Sequence, residues 1–267
     1  MSSCEEFNLN STTVALSGGE DYELLFTIDQ KDFEKIKNSP DFSVIGHITD
    51  QKKGINLALK KAEKDFGIIS RFIMNGIRHL GPDSVQSTAE EVLENPHPYL
   101  VGFGLAGDEL HFPPMLFTKT FNMLKEANFP ITVHAGEWDG PENIRKAINL
   151  LHPTRLGHGV RSIEDPELVK EIIDKDIILE TCPTSNIATK IYENYESHPV
   201  KTLFDQGVKV TVNSDDPPFF NATIQGEYEV MEDLGLNKDQ LTSLTRNAIS
   251  SSFCDENNKK KLLSKLG

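Results

Sequence analysis

Hydrophobic residues recur along residues 68–212 in short β-prone runs, each followed by a stretch whose apolar positions lie three and four apart. The runs are Ile68–Met74, Tyr99–Leu105, Ile131–Val133, Arg155–Gly157, Ile177–Glu180 and Val208–Val212. Their starts recur about every 20 to 30 residues, the length of one strand plus one helix. Between them, Pro82 precedes Val85, Ala89, Val92 and Leu93, Pro141 precedes Ile144, Ala147, Ile148 and Leu151, and Pro166 precedes Leu168, Val169, Ile172 and Ile173. Proline sacrifices no hydrogen bond in a first helical turn, so each marks a helix start. Residues Met115–Ala127 carry Phe117, Phe121 and Leu124 on one stripe. Residues 238–266 read as two more helices with Leu241, Leu244, Ala248 and Phe253 inward.

Residues 12–50 have a different texture. Thr13–Leu16 reads as a short strand and Ser17–Asp21 as a Gly-Gly turn, and in Tyr22–Ile28 the residues Tyr22, Leu24, Phe26 and Ile28 share one face. Asp29 caps a helical stretch to Asn38, and Phe42–Ile48 returns to strand character. The polar stretch 50–54 precedes a helix at Ile55–Ala62, which places a domain junction between 1–54 and 55–267. The expected fold class is α/β, an incomplete TIM-type (β/α)8 barrel of six recognisable βα units preceded by a small α+β segment.

Composition narrows the partners. A chain of 267 residues with 37% hydrophobic content fits an ordinary soluble core. A formal charge of −14 argues against nucleic acid, whose phosphates are neutralised by Lys and Arg. No long apolar segment suggests a membrane span, and Met1-Ser-Ser-Cys4 lacks the features of a signal peptide. The three scattered cysteines, Cys4, Cys182 and Cys254, fit a reducing cytoplasm. A small-molecule substrate is the expected partner.

The candidate chemistry sits where the apolar runs stop. His134 and Asp215 each follow a β-branched segment, the position of a metal ligand at the carboxyl end of a barrel strand. Glu137 follows His134 by three residues, His158 ends a neighbouring unit, and Asp215 and Asp216 form an acid pair that requires a metal, a cation or a proton to compensate it. Cys182 reads as a buried strand-end thiol, His97, His111, His152 and His198 as loop residues beside or near proline, and Lys259–Lys261 as a solvated helix face.

The segments Gly104-Leu-Ala-Gly-Asp-Glu109, Thr132-Val-His-Ala-Gly-Glu137, Arg155-Leu-Gly-His-Gly-Val160, Glu180-Thr-Cys-Pro-Thr-Ser-Asn186 and Asn213-Ser-Asp-Asp-Pro-Pro-Phe219 stand in an order that resembles the adenosine deaminase family of zinc aminohydrolases. The resemblance implies Zn²⁺ held by His134 and Asp215, and a proton shuttled by Glu137 to the purine ring. It also implies that His158 orients and helps deprotonate the attacking water, and that Asp216 and the Gly107 backbone hydrogen-bond ring nitrogens. The implied reaction is hydrolytic deamination of a purine nucleoside or base, with adenosine the leading substrate and adenine the alternative. A non-catalytic chimeric scaffold or weak purine or metal binder is the reading from another class. The family's His-x-His pair, a source of two further ligands, is absent from the sequence.

Residues 14–28 and 43–49 are similar instead to the C-terminal region of thiamine-monophosphate kinase, in which Glu20 and Asp21 would lie close to substrate. As residues alone they form a Gly-Gly hairpin with exposed acids. The two resemblances together imply a recombined or engineered chimera, or an assembly error. Six strands leave open sheet edges, which the strands within 13–48 would partly cover, or which a homo-oligomer would close.

Overall fold

The structure, a computed structural model, describes residues 54–266. The strands, hairpin and kinase-like motif expected within residues 1–53, and their covering of a sheet edge, lie outside the described residues. From Leu59 onward the chain forms one compact unit.

Six strands form one parallel sheet in sequence order: β1 Phe72–Ile77, β2 Leu100–Ala106, β3 Ile131–Ala135, β4 Arg155–His158, β5 Ile178–Thr181 and β6 Val210–Val212. Parallel neighbours require crossover connections, and helices supply them. In chain order the helices are α1 Gly54–Phe66, α2 Pro82–Glu94, α3 Thr118–Glu126, α4 Pro141–Leu151, α5 Pro166–Asp174, α6 Pro183–Ala188, α7 Val200–Asp205, α8 Pro217–Phe220, α9 Ile224–Asp233, α10 Lys238–Ser251 and α11 Glu256–Leu263. Among the described residues β1 and β6 each pair on one side only, so the sheet is a partial TIM-type barrel. No described helix is long and apolar enough to cross a membrane.

The predicted helix faces are the buried ones. Val85, Ala89 and Val92 of α2, Ile144, Ala147, Ile148 and Leu151 of α4, and Leu168, Val169 and Ile172 of α5 join Phe103, Leu105, Val133, Leu156 and Leu179 of the strands in one core. Phe121 of α3 meets Phe103 edge-on, with ring centroids 6.1 Å apart. Asp165 caps α5, its carboxylate accepting from the amides of Glu167 and Leu168.

Four expectations are corrected. The first strand covers Phe72–Ile77 instead of Ile68–Met74, because pairing begins where the Phe72 amide donates to the Tyr99 carbonyl. It continues through Asn75 and Gly76, residues that hide its strand character. Gly76 leaves room for Val85 of α2, since a Cβ there would lie 2.5 Å from Val85 Cγ1. Ile173 is exposed, one position past the buried stripe of α5. The helix expected from Met115 opens as a 3₁₀ turn, Pro114–Phe117, and Met115 is exposed. In the C-terminal helices Leu244 is buried while Leu241, Ala248 and Phe253 are half-buried; the Phe253 ring lies 3.8 Å from the Arg155 guanidinium carbon instead of entering the core.

Candidate active site

The ends of β3, β4 and β6 bring the predicted acids and imidazoles together. The His134 and His158 rings meet edge-on with centroids 5.2 Å apart. His158 Nε2 lies 3.5 Å from Glu137 Oε2 and 3.8 Å from Asp215 Oδ2, both longer than a hydrogen bond. Asp216 follows at the same strand end, and Gly107 closes β2 with φ of 101° beside His79.

The backbone explains how these side chains reach one place. His134 on β3 pairs opposite Gly157 on β4, and a Cβ at residue 157 would lie 2.8 Å from His134 Nδ1. Only a residue without a side chain lets the imidazole lie there. His158 and Asp215 both adopt left-handed backbone, with φ of 60° and 53°. For residues with a Cβ this costs about 1 to 3 kcal/mol and concentrates at functional sites. Asp215 is fixed further by the Ser185 hydroxyl, which donates to its Oδ2 at 2.7 Å.

Glu109, in the loop after β2, holds Glu137 indirectly. Its buried carboxylate accepts from the backbone amides of Gly136 at 2.8 Å, Glu137 at 2.9 Å and Trp138 at 2.8 Å. The buried guanidinium of Arg78 donates to the carbonyls of His134 and Phe112 and interacts favourably with the Glu109 charge. Glutamine at position 109 opposes an NH₂ to one of those amides. We expect a loss of about 1 to 3 kcal/mol of stability, read from urea denaturation midpoints.

Electrostatics separate the roles of the groups. Burial, followed by the neighbouring charges of Asp215, Glu109 and Asp216, pushes the Glu137 carboxyl up to about 8, so it holds a proton at neutral pH. Burial, followed by the nearby imidazoles of His134 and His198, drives His158 down to about 3, so its contacts with the acids are not ion pairs. Asp216 is raised, first by burial and then by Asp215, against a smaller opposing effect of His134.

Several participants escaped the sequence reading. Glu109, Ser185 and Asn186 lie in segments quoted above but carried no assigned role. His198, expected in a loop, is buried and hydrogen-bonded to Asn186. Their partners lie 12 to 30 residues away, beyond any local periodicity.

Imidazole and carboxylate donors suit zinc. His134 Nδ1 is buried with no hydrogen-bond partner, and Asp215 and Asp216 form an acid pair for which a cation is a natural counter-charge. Among the described residues, ligand atoms of His158, Cys182 and Asp215 lie within 4.8 Å of one another. Cys182 is a buried free thiol, as expected, whose pKa is raised by burial and the surrounding acids. The residues present therefore fit a divalent cation, with no His-x-His pair to complete the set.

Known proteins are similar in sequence and in fold. The adenosine deaminase family model matches residues 27–267, beginning inside the segment 1–54. An adenine deaminase of Rhizobium meliloti (strain 1021) is 40% identical over 237 residues, 88% of this chain and 73% of its own length. The crystal structure of an adenine deaminase from Arthrobacter aurescens superposes with a TM-score of 0.75 at 30% identity, covering 80% of this chain and 65% of that one. An amidohydrolase from Burkholderia ambifaria, solved with bound Zn, superposes with a TM-score of 0.75 at 26% identity, covering 79% of this chain and 60% of its own. The chain thus spans about two thirds to three quarters of the length of its adenine deaminase relatives. By this match and by the constellation at its strand ends, the chain belongs to the adenosine deaminase family of hydrolytic deaminases.

Proposed function

We propose that the chain deaminates a purine base, converting adenine and water to hypoxanthine and ammonia. The observation that carries the reading is the placement of the largely buried Glu137 carboxyl 3.5 Å from His158 Nε2, where burial and the neighbouring Asp215 favour its protonated form. A protonated carboxyl can give its proton to a ring nitrogen, making the amino-bearing carbon electrophilic. His158 orients the attacking water, and Asp216 and the Gly107 amide hold ring nitrogens. His134 and Asp215 would hold zinc, which when bound makes water acidic enough to supply hydroxide near neutral pH. Exposed Leu80, Leu110, Trp138 and Phe219, each past a strand's carboxyl end, supply apolar surface suited to a flat base.

Adenine is preferred to adenosine because the relatives from Rhizobium meliloti and Arthrobacter aurescens are named adenine deaminases. The test follows the ultraviolet absorbance of both substrates with the purified chain and added zinc. We expect kcat/KM for adenine to exceed that for adenosine by about 100-fold or more. The reverse ratio would restore adenosine as the substrate.

Gly157→Ala probes the seat of His134. The added methyl collides with the imidazole at 2.8 Å and displaces it. Zinc affinity, measured by competition with a chromogenic chelator, is expected to fall about 10- to 100-fold.

A further inference from the structure

Behind His158 runs a chain of hydrogen bonds in which every donor points toward the site. The Val200 backbone amide donates to His198 Nδ1 at 3.2 Å. That ring nitrogen accepts and so carries no proton, which leaves the proton on His198 Nε2. His198 Nε2 lies 3.1 Å from Asn186 Oδ1 and donates to it. With its oxygen so engaged, the Asn186 side chain turns its NH₂ toward His158 Nδ1, 3.3 Å away. An amide NH₂ can only donate, so His158 Nδ1 accepts and the His158 proton sits on Nε2. That nitrogen faces Glu137 and Asp215.

We propose that His198 and Asn186 are positioning residues that lock His158 as its Nε2–H tautomer, so that His158 meets the attacking water or a carboxylate as a hydrogen-bond donor and not as a base. The origin of the lock is a backbone amide, which cannot reverse its direction. Its members are shielded from water that could scramble the bonds: Asn186 is fully buried, and His158 and His198 are 2% and 3% exposed. Tyr192 packs edge-on against the His198 ring, with centroids 4.9 Å apart, and holds its plane. Burial pushes His198 down to about 4, so it is neutral at working pH and cannot donate from both nitrogens. On this proposal His158 keeps the orienting part of the role that the family resemblance implied and not the deprotonating part.

The consequence for turnover rests on the deaminase reading; the tautomer does not. The test is a two-dimensional ¹⁵N–¹H correlation of the full-length chain labelled with ¹⁵N-histidine, zinc-free and with zinc added, at pH 7.5. The His158 signals are assigned by their loss in His158→Asn. The expected result is a protonated Nε2 and an unprotonated Nδ1 for both His158 and His198. Asn186→Asp replaces the donor with an acceptor at nearly the same volume, so His158 should switch to Nδ1–H while His198 keeps its tautomer. His198→Phe should leave His158 as a mixture of tautomers. Both variants should lower kcat by about 10- to 100-fold with KM changed far less. A wild-type His158 protonated on Nδ1, or one whose tautomer is unmoved by Asn186→Asp, overturns the proposal. If His198→Phe does not fold, Asn186→Asp decides. Expected tautomers in a chain without turnover would uphold the lock and reject the deaminase reading.

Discussion

Glutamine in place of Glu137 is expected to lower adenine turnover by about 10²- to 10⁴-fold, the usual worth of a positioned proton donor. The substitution keeps the size of the side chain and a hydrogen-bond donor but removes the transferable proton. The loss should fall on kcat, with KM changed by no more than a few-fold, because the base still finds its partners while the charge developing on the ring goes unneutralised. The local fold should hold, since Glu109 grips the 136–138 backbone and not the Glu137 side chain. Steady-state kinetics on the zinc-supplemented protein read both constants. A variant retaining more than about a tenth of wild-type kcat removes Glu137 from proton transfer.

The same carboxyl gives the zinc-free protein an unusual pH dependence. Its folded-state pKa is raised to about 8 from an ordinary value of 4.5. Below the ordinary value both folded and unfolded states hold the proton. Between the two values the folded state keeps the proton and the unfolded state releases it, so stability falls as pH rises. The slope from this group is at most about 1.4 kcal/mol per pH unit, and it ends once the folded state also ionises. The side chain is only 16% exposed, so solvent screens little of this effect. Urea midpoints at several pH values from 7 to 8, with a chelator present, should decline in the wild type and flatten in Glu137→Gln; the window lies above the ordinary histidine value of 6.5, because below it the depressed His158 and His198 add stability as pH rises. A decline of equal slope in both proteins assigns the effect to other groups.

Much of the architecture was legible because each strand is a run of apolar residues halted by a polar motif, and because Pro82, Pro141 and Pro166 open helices whose buried faces are spaced three and four apart. β1 was misplaced for a local reason: Asn75 and Gly76 serve their neighbours, the first lying against Gly104 and the second admitting α2. At the site, the gathering of His134, Glu137, His158 and Asp215 was legible because each stands at or just past the end of a strand. Glu109, Ser185, Asn186 and His198 were not. A carboxylate accepting three amides from another strand's loop, or an asparagine joining two histidines, is a tertiary arrangement that leaves no period in the chain. His198 resembles any loop histidine beside a proline until its burial and two hydrogen bonds are seen.

The most direct test is to incubate the purified full-length chain, supplemented with zinc, with adenine and to measure hypoxanthine and ammonia together. The expected result is equimolar appearance of both, at a rate proportional to protein and abolished by chelator. Adenine left unchanged by a chain that demonstrably binds zinc would contradict the central claim, and would leave the strand-end cluster as a metal site without deaminase chemistry.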